Sequence, residues 1–232
     1  MKRNCLIVLN PREIEVCMSS IRSLNIDKVY FRAFDEPNLC GPINTFIRKN
    51  DYDNYLVISD DVIVTNEALS LVTDLLERHE AATGYCLVSQ EDDFVNVTRA
   101  PLAKRQGFQY GPILSDYEFY YKREVELFQN PIFVTWFGGW CLTGFSKKVW
   151  VSNRFTVMPS GRQSDYATCF NYSKKLYCHR DAYVEHLKEG HLKANHENFL
   201  VGLVEPEIIH EVNGRLTYLE TPAYCKFGIK LV

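Results

Sequence analysis

Apolar residues recur along the first ninety positions with two different periods. Leu6-Ile7-Val8-Leu9 is a continuous apolar run of strand length, and Ile14, Cys17, Met18, Ile21 and Leu24 then follow at three- and four-residue steps, the repeat of one helix face. A second strand is predicted over Lys28 to Phe34, a short helix around Ile43 to Ile47, and a third strand through Tyr55-Leu56-Val57-Ile58. Ala68, Leu69, Val72, Leu75 and Leu76 form the stripe of a longer helix that begins near Glu67 with Thr65 or Asn66 as its cap. Gly84-Tyr85-Cys86-Leu87-Val88 reads as the next strand. Strands and helices in alternation predict an α/β fold, a mostly parallel sheet with helices on both faces.

The alternation stops near Gln90. From Glu91 to Asn130 come acids, Pro101, Gly107, Gly111, Pro112 and many aromatics without a period, which predicts an inserted segment passing over the carboxyl edge of the sheet. Near the C-terminus, Ile208 to Tyr218 carries Asn213-Gly214 between two alternating runs, a hairpin signal because Asn-Gly tolerates both positive φ angles of a type I′ turn. The expected organisation is one domain over 1–232. It comprises an alternating half (1–90), a half that carries the inserted segment (91–190) and a C-terminal extension (191–232).

Composition narrows the function classes. With 232 residues, 46% hydrophobic and 24% charged, the chain has the make-up of a soluble globular protein. A net charge of -3, with no dense Lys/Arg cluster, speaks against a nucleic-acid partner. Met1 to Leu9 has basic residues before apolar ones but no small-residue cleavage site, so it reads as a first strand and the expected location is cytoplasmic. No run reaches the roughly 18 apolar residues of a membrane span, which leaves peripheral membrane contact at most. The eight cysteines show no C-x-x-C spacing and read as reduced core residues. The sequons at Asn96 and Asn171 read as chance occurrences.

The chemistry concentrates in Ser59-Asp60-Asp61, two acids closing an apolar strand. Acids at a strand's carboxyl end are placed to hold a cation that holds a phosphate. The other reading of these residues is a turn that caps the next helix. His179, His186, His191 and His196 raise a zinc site, but their spacing places them on different faces and H-E-x-x-H is absent. Asn10-Pro11-Arg12 after the first strand contains no glycine, which argues against a dehydrogenase or a pyrophosphorylase.

Three segments in this order resemble the GT-A class of nucleotide-sugar-dependent glycosyltransferases, in particular its large inverting family with a DxD-like motif. They are Ser59-Asp60-Asp61, then Trp136 to Lys147 with its Gly138-Gly139 pair, and then Ser164-Asp165 through the strand ending in His186. Ser59 stands where the first acid of D-x-D often occurs. The resemblance implies a GT-A-like (Rossmann-like) fold, with 1–90 the nucleotide-binding half and 91–190 the acceptor and catalytic half, and transfer of a hexose from a UDP-sugar to a hydroxyl of a carbohydrate acceptor. It makes Asp61 and His186 ligands of Mn²⁺, with Mg²⁺ as the alternative, and Asp165 the general base. Asn10, Pro11, Arg12, Asp35 and Asp60 would bind the nucleotide sugar, and Gly139 with Trp140 or Trp136 the acceptor glycan. Phe108, Tyr110, Tyr117, Phe119, Tyr120 and Tyr121 would form a groove or lid. Asp165 as a helix cap, Asp35 as a turn residue and a non-catalytic module binding carbohydrate or a protein partner are the competing readings.

Overall fold

The computed structural model describes residues 1–9, 14–32, 40–88, 93–102, 119–155, 164–187, 209–212 and 215–218. Its centre is a seven-stranded sheet in the order β2-β1-β3-β9-β5-β10-β8. These strands are β1 (Asn4–Leu9), β2 (Lys28–Arg32), β3 (Asn54–Ser59), β5 (Ala81–Tyr85), β8 (Ile132–Thr135), β9 (Cys141–Ser146) and β10 (Leu176–Tyr183). β1 pairs in parallel with both β2 and β3, and β5 with β10. β9 runs antiparallel to β3 and β5, and β8 antiparallel to β10, so five of the seven strands point one way.

Alternation along β1 and β3 sorts the core into two layers. Cys5, Ile7, Leu9, Tyr55 and Val57 face α2 (Cys40–Lys49), α5 (Lys147–Asn153) and α6 (Ser164–Tyr172). Leu6, Val8, Leu56 and Ile58 face α1 (Glu15–Arg22) and α3 (Asn66–Arg78). α3 buries the five residues of the predicted stripe, and its leucines and valine each contribute about 1.5–3 kcal/mol of apolar burial. Its cap is Thr65, whose side chain accepts a hydrogen bond from the Ala68 N–H.

The strand predicted over Gly84 to Val88 starts three residues earlier, at Ala81. Ala81 and Ala82 are weak strand formers, but they pair with Phe145 and Gly144 of β9 and are buried on opposite faces of the sheet. β6 (Phe94–Thr98) and β7 (Phe119–Tyr121) form a separate ribbon in the predicted insertion, followed by the short helix α4 (Lys122–Glu126). Phe108, Tyr110 and Tyr117 lie outside the described residues. The C-terminal hairpin forms as β12 (Ile209–Val212) against β13 (Arg215–Tyr218), with Val212 opposite Arg215. Among the described residues no helix is long and apolar enough to cross a membrane.

Topology creates one chemically dense edge. The carboxyl ends of β3, β5 and β10 meet there, and antiparallel β9 begins at the same place.

Candidate functional site

β3 ends at Ser59, and Asp60 and Asp61 occupy the turn before β4 (Val62–Ile63). Both acids are buried, at 1% and 5% exposure, where an ionised carboxylate persists only with compensation. After β10 the chain adds a two-residue strand, β11 (Glu185–His186), antiparallel to β4, with His186 opposite Val62. The Leu187 N–H donates to the Asp61 carbonyl at 2.8 Å and locks that register. Nε2 of His186 consequently lies 3.1 Å from Oδ2 of Asp61 across a separation of 125 residues. Burial opposes the charged imidazole, but the Asp61 carboxylate and the Cys86 thiol together outweigh it and raise the His186 pKa to about 9.

Two cysteines complete this corner. Cys86 follows β5, Cys141 opens β9, and their sulfurs are 3.0 Å apart. The Cys86 contact, burial and the nearby Asp61 and Asp165 carboxylates all push the Cys141 thiol well above its ordinary range. Cys141 is aimed by a distorted turn. The Cys141 N–H donates to the Gly139 carbonyl at 2.5 Å, the Ser59 N–H to the Trp140 carbonyl at 2.7 Å, and Leu142 takes a φ of 82°. A left-handed leucine is a costly conformation, held here by full burial between β3 and β5.

The Gly-Gly pair has two separate jobs. A Cβ on Gly138 would collide with the Thr83 and Thr143 hydroxyls, so this glycine serves packing. A Cβ on Gly139 would lie 3.0 Å from Nδ2 of Asn96 and 3.5 Å from Oδ2 of Asp165. Gly139 therefore floors a notch with the Asn96 amide and the Asp165 carboxylate on its walls. Asp165 stands in the first turn of α6 and is half-buried. Asn96, 7% exposed, accepts the Cys86 N–H on Oδ1 at 2.8 Å and donates its own N–H to the Cys86 carbonyl at 3.0 Å. That pairing fixes the side-chain amide with its NH₂ toward the notch, where it has no partner among the described residues.

The structure thus brings Asp60, Asp61, His186, Gly139 and Asp165 to one edge. It does not bring Trp140 there as an open platform. Trp140 is 5% exposed and lies against Phe155, with ring centroids 5.6 Å apart, and Trp150, so the flat face expected for a sugar is occupied by the core. Trp136 is half-buried and lines a cavity of about 530 Å³ together with Leu102, Lys148 and Tyr172, away from Asp61 and His186. Phe119, Tyr120 and Tyr121 pack in the ribbon, where Tyr120 contacts Phe128 and Phe133. Asn10, Pro11, Arg12 and Asp35 lie outside the described residues, after the carboxyl ends of β1 and β2. His179 is on β10 beside Asp181, and His191 and His196 lie outside the described residues.

Cys86, Cys141 and Asn96 are the site residues that sequence reasoning missed. The available signal was positional, since Cys86 closes an apolar strand and Cys141 follows Gly-Gly-Trp, but scattered cysteines read as core. Asn96 and Asn171 are both buried, so neither sequon presents its amide to solvent.

No known family matches the chain, and no curated protein does. Among solved structures, A197 from STIV matches with 12% identity over 76% of this chain and 81% of that one, at a TM-score of 0.47. S. aureus TarS 1-349 matches with 9% identity over 80% of this chain and 60% of its own length, at a TM-score of 0.45. The same TarS fragment in complex with UDP-GlcNAc gives 8% identity, 84% and 61% coverage and a TM-score of 0.43. The chain spans about three fifths of that fragment.

Proposed function

We propose that the chain is a metal-dependent glycosyltransferase that moves a hexose from a UDP-sugar to a hydroxyl of a carbohydrate acceptor with inversion. The observation that carries this reading is the convergence of Asp61 and His186 at 3.1 Å, on the sheet edge that also presents Asp165 beside Gly139. Buried carboxylates and an imidazole form an oxygen and nitrogen donor set suited to Mn²⁺ or Mg²⁺. Asp61 and His186 would hold the ion, and when bound it supplies Lewis-acid compensation for the charge of the departing diphosphate.

The remaining steps belong to the chain's own side chains. Asp60 contributes negative charge beside Asp61 or a contact to the ribose. Asn10, Pro11 and Arg12 come after β1 and Asp35 after β2 in the sequence, the segments this reading assigns to the nucleotide, and a carboxylate at 35 suits the N3–H of uracil. Asp165 takes the proton from the acceptor hydroxyl as that oxygen attacks the anomeric carbon opposite the leaving diphosphate. Gly139 leaves the room for that hydroxyl, and the Asn96 amide can donate to an acceptor oxygen in the notch.

UDP release from UDP-glucose, UDP-galactose and UDP-GlcNAc, measured with Mn²⁺ and with chelator, tests the reading. Mn²⁺-dependent release that disappears in Asp61→Asn supports it. Absence of release from every donor, with no Mn²⁺-dependent UDP binding, replaces it with a non-catalytic module.

A further inference from the structure

We infer that Cys86, Cys141 and His186 form a binding site for a thiophilic divalent cation of the zinc class, a property beyond the hard-metal role proposed above. One sulfur from each cysteine and one ring nitrogen of His186 lie within 4.8 Å of one another. Some point is then within about 2.8 Å of all three atoms, against bond lengths of about 2.3 Å for Zn–S and 2.0 Å for Zn–N. The sulfurs, 3.0 Å apart, open by roughly 0.8 Å to the separation of two thiolates on a tetrahedral ion while the imidazole closes in.

Three features separate this cluster from ordinary buried cysteines. Its donors come from three different segments, the residue after β5, the start of β9 and β11, and both cysteines are buried, Cys141 on β9 and Cys86 held by its backbone hydrogen bonds to Asn96. The strained turn at Leu142 is what directs Cys141 to that point. Asp61, 3.1 Å from His186 Nε2, stands where a carboxylate fixes the ring of a metal-bound histidine or enters the shell itself. Cys178, by contrast, is buried in a different apolar cluster with Tyr85 and Val97.

Each thiol releases its proton to solvent as it ligates, and no redox partner is required. Thiolates favour Zn²⁺, Cd²⁺ and Co²⁺ over Mn²⁺ and Mg²⁺. Because His186 is shared, a thiophilic ion withdraws the imidazole from a Mn²⁺ ion held with Asp61.

The test uses the full chain, freed of metal by chelator and kept in a phosphine reductant. Titration with Co²⁺ is expected to give a thiolate-to-cobalt charge-transfer band that saturates at one equivalent and is displaced by Zn²⁺ but not by excess Mn²⁺. Cys86→Ser and Cys141→Ser each weaken Co²⁺ binding by at least about 100-fold, while Cys178→Ser retains the band. Should the serine variants unfold, X-ray absorption of the Zn²⁺-loaded unaltered chain decides, and a shell containing two sulfurs supports the site. A shell of oxygen and nitrogen alone, no charge-transfer band, or a band that survives in both serine variants overturns it. Mn²⁺-dependent UDP binding is measured separately, so loss of the transferase reading and loss of this site are distinguishable.

Discussion

His186 and Asp61 are joined through a miniature two-stranded sheet, and the 3.1 Å contact between them makes the imidazole a stronger base than a free histidine. The ordinary imidazole value is 6.5 and the folded value about 9, so folding favours the protonated ring. The resulting stabilisation is fully present below about pH 6.5 and is lost as pH rises through about 9. In the presence of chelator, the unfolding free energy from urea titrations is expected to fall by about 2 kcal/mol more in the unaltered chain than in Asp61→Asn over that interval. Parallel pH profiles for the two proteins would show that the contact does not govern the histidine.

Gly139→Ala separates binding from turnover. The new methyl group would stand 3.0 Å from the Asn96 amide and 3.5 Å from the Asp165 carboxylate, in the space assigned to the acceptor hydroxyl. The alanine variant is expected to keep its far-UV dichroism and its affinity for UDP with Mn²⁺, while transfer to acceptor drops at least tenfold, as roughly ångström-scale displacement at a reacting centre does. Unchanged transfer would place the acceptor elsewhere.

Asn44→Ala tests how α2 is tied to the segment leading toward α6. The Asn44 side chain brackets the backbone of Phe155, donating to its carbonyl at 3.1 Å and accepting its N–H at 2.7 Å across 111 residues. All four groups are buried, so the truncation leaves a donor and an acceptor unsatisfied, at a cost of about 2–4 kcal/mol in urea denaturation. A loss under about 1 kcal/mol would mean that water takes the vacated place.

Gly144→Ala probes the α3 face of the sheet. Its Cβ would lie 2.8 Å from Leu56 Cγ and 2.8 Å from Leu76 Cδ1, both in a fully packed layer. Overpacking of this kind costs about 1–3 kcal/mol. Adding Leu76→Val should recover part of that cost, and a double-mutant cycle on thermal unfolding reads the coupling.

The elements legible in the sequence were those whose period is set by one buried face. The α3 stripe from Ala68 to Leu76 and the apolar runs of β1 and β3 needed only local pattern. The start of β5 was not legible, because Ala81 and Ala82 carry little strand propensity and are held in the sheet by pairing with β9, roughly 60 residues away in sequence. Asp61 and His186 were readable as strand-end residues. Their companions were not, since Cys86 and Cys141 are 55 residues apart and meet only because β9 is inserted next to β5. Asn96 was hidden differently, by lying in an aperiodic stretch where a single amide carries no pattern.

The position of β9 also dictates an order of assembly. It lies between β3 and β5 and pairs with both, so residues 54–59 and 81–85 emerge from the ribosome as two unmatched borders that only residues 141–146 can join. A nascent chain halted after β8 therefore displays one border of β3 and both borders of β5 without their sheet partners, the condition under which chains cling to one another or to chaperones. Addition of one six-residue strand joins β5 to the β2-β1-β3 group, and it delivers Cys141 to Cys86 in the same event.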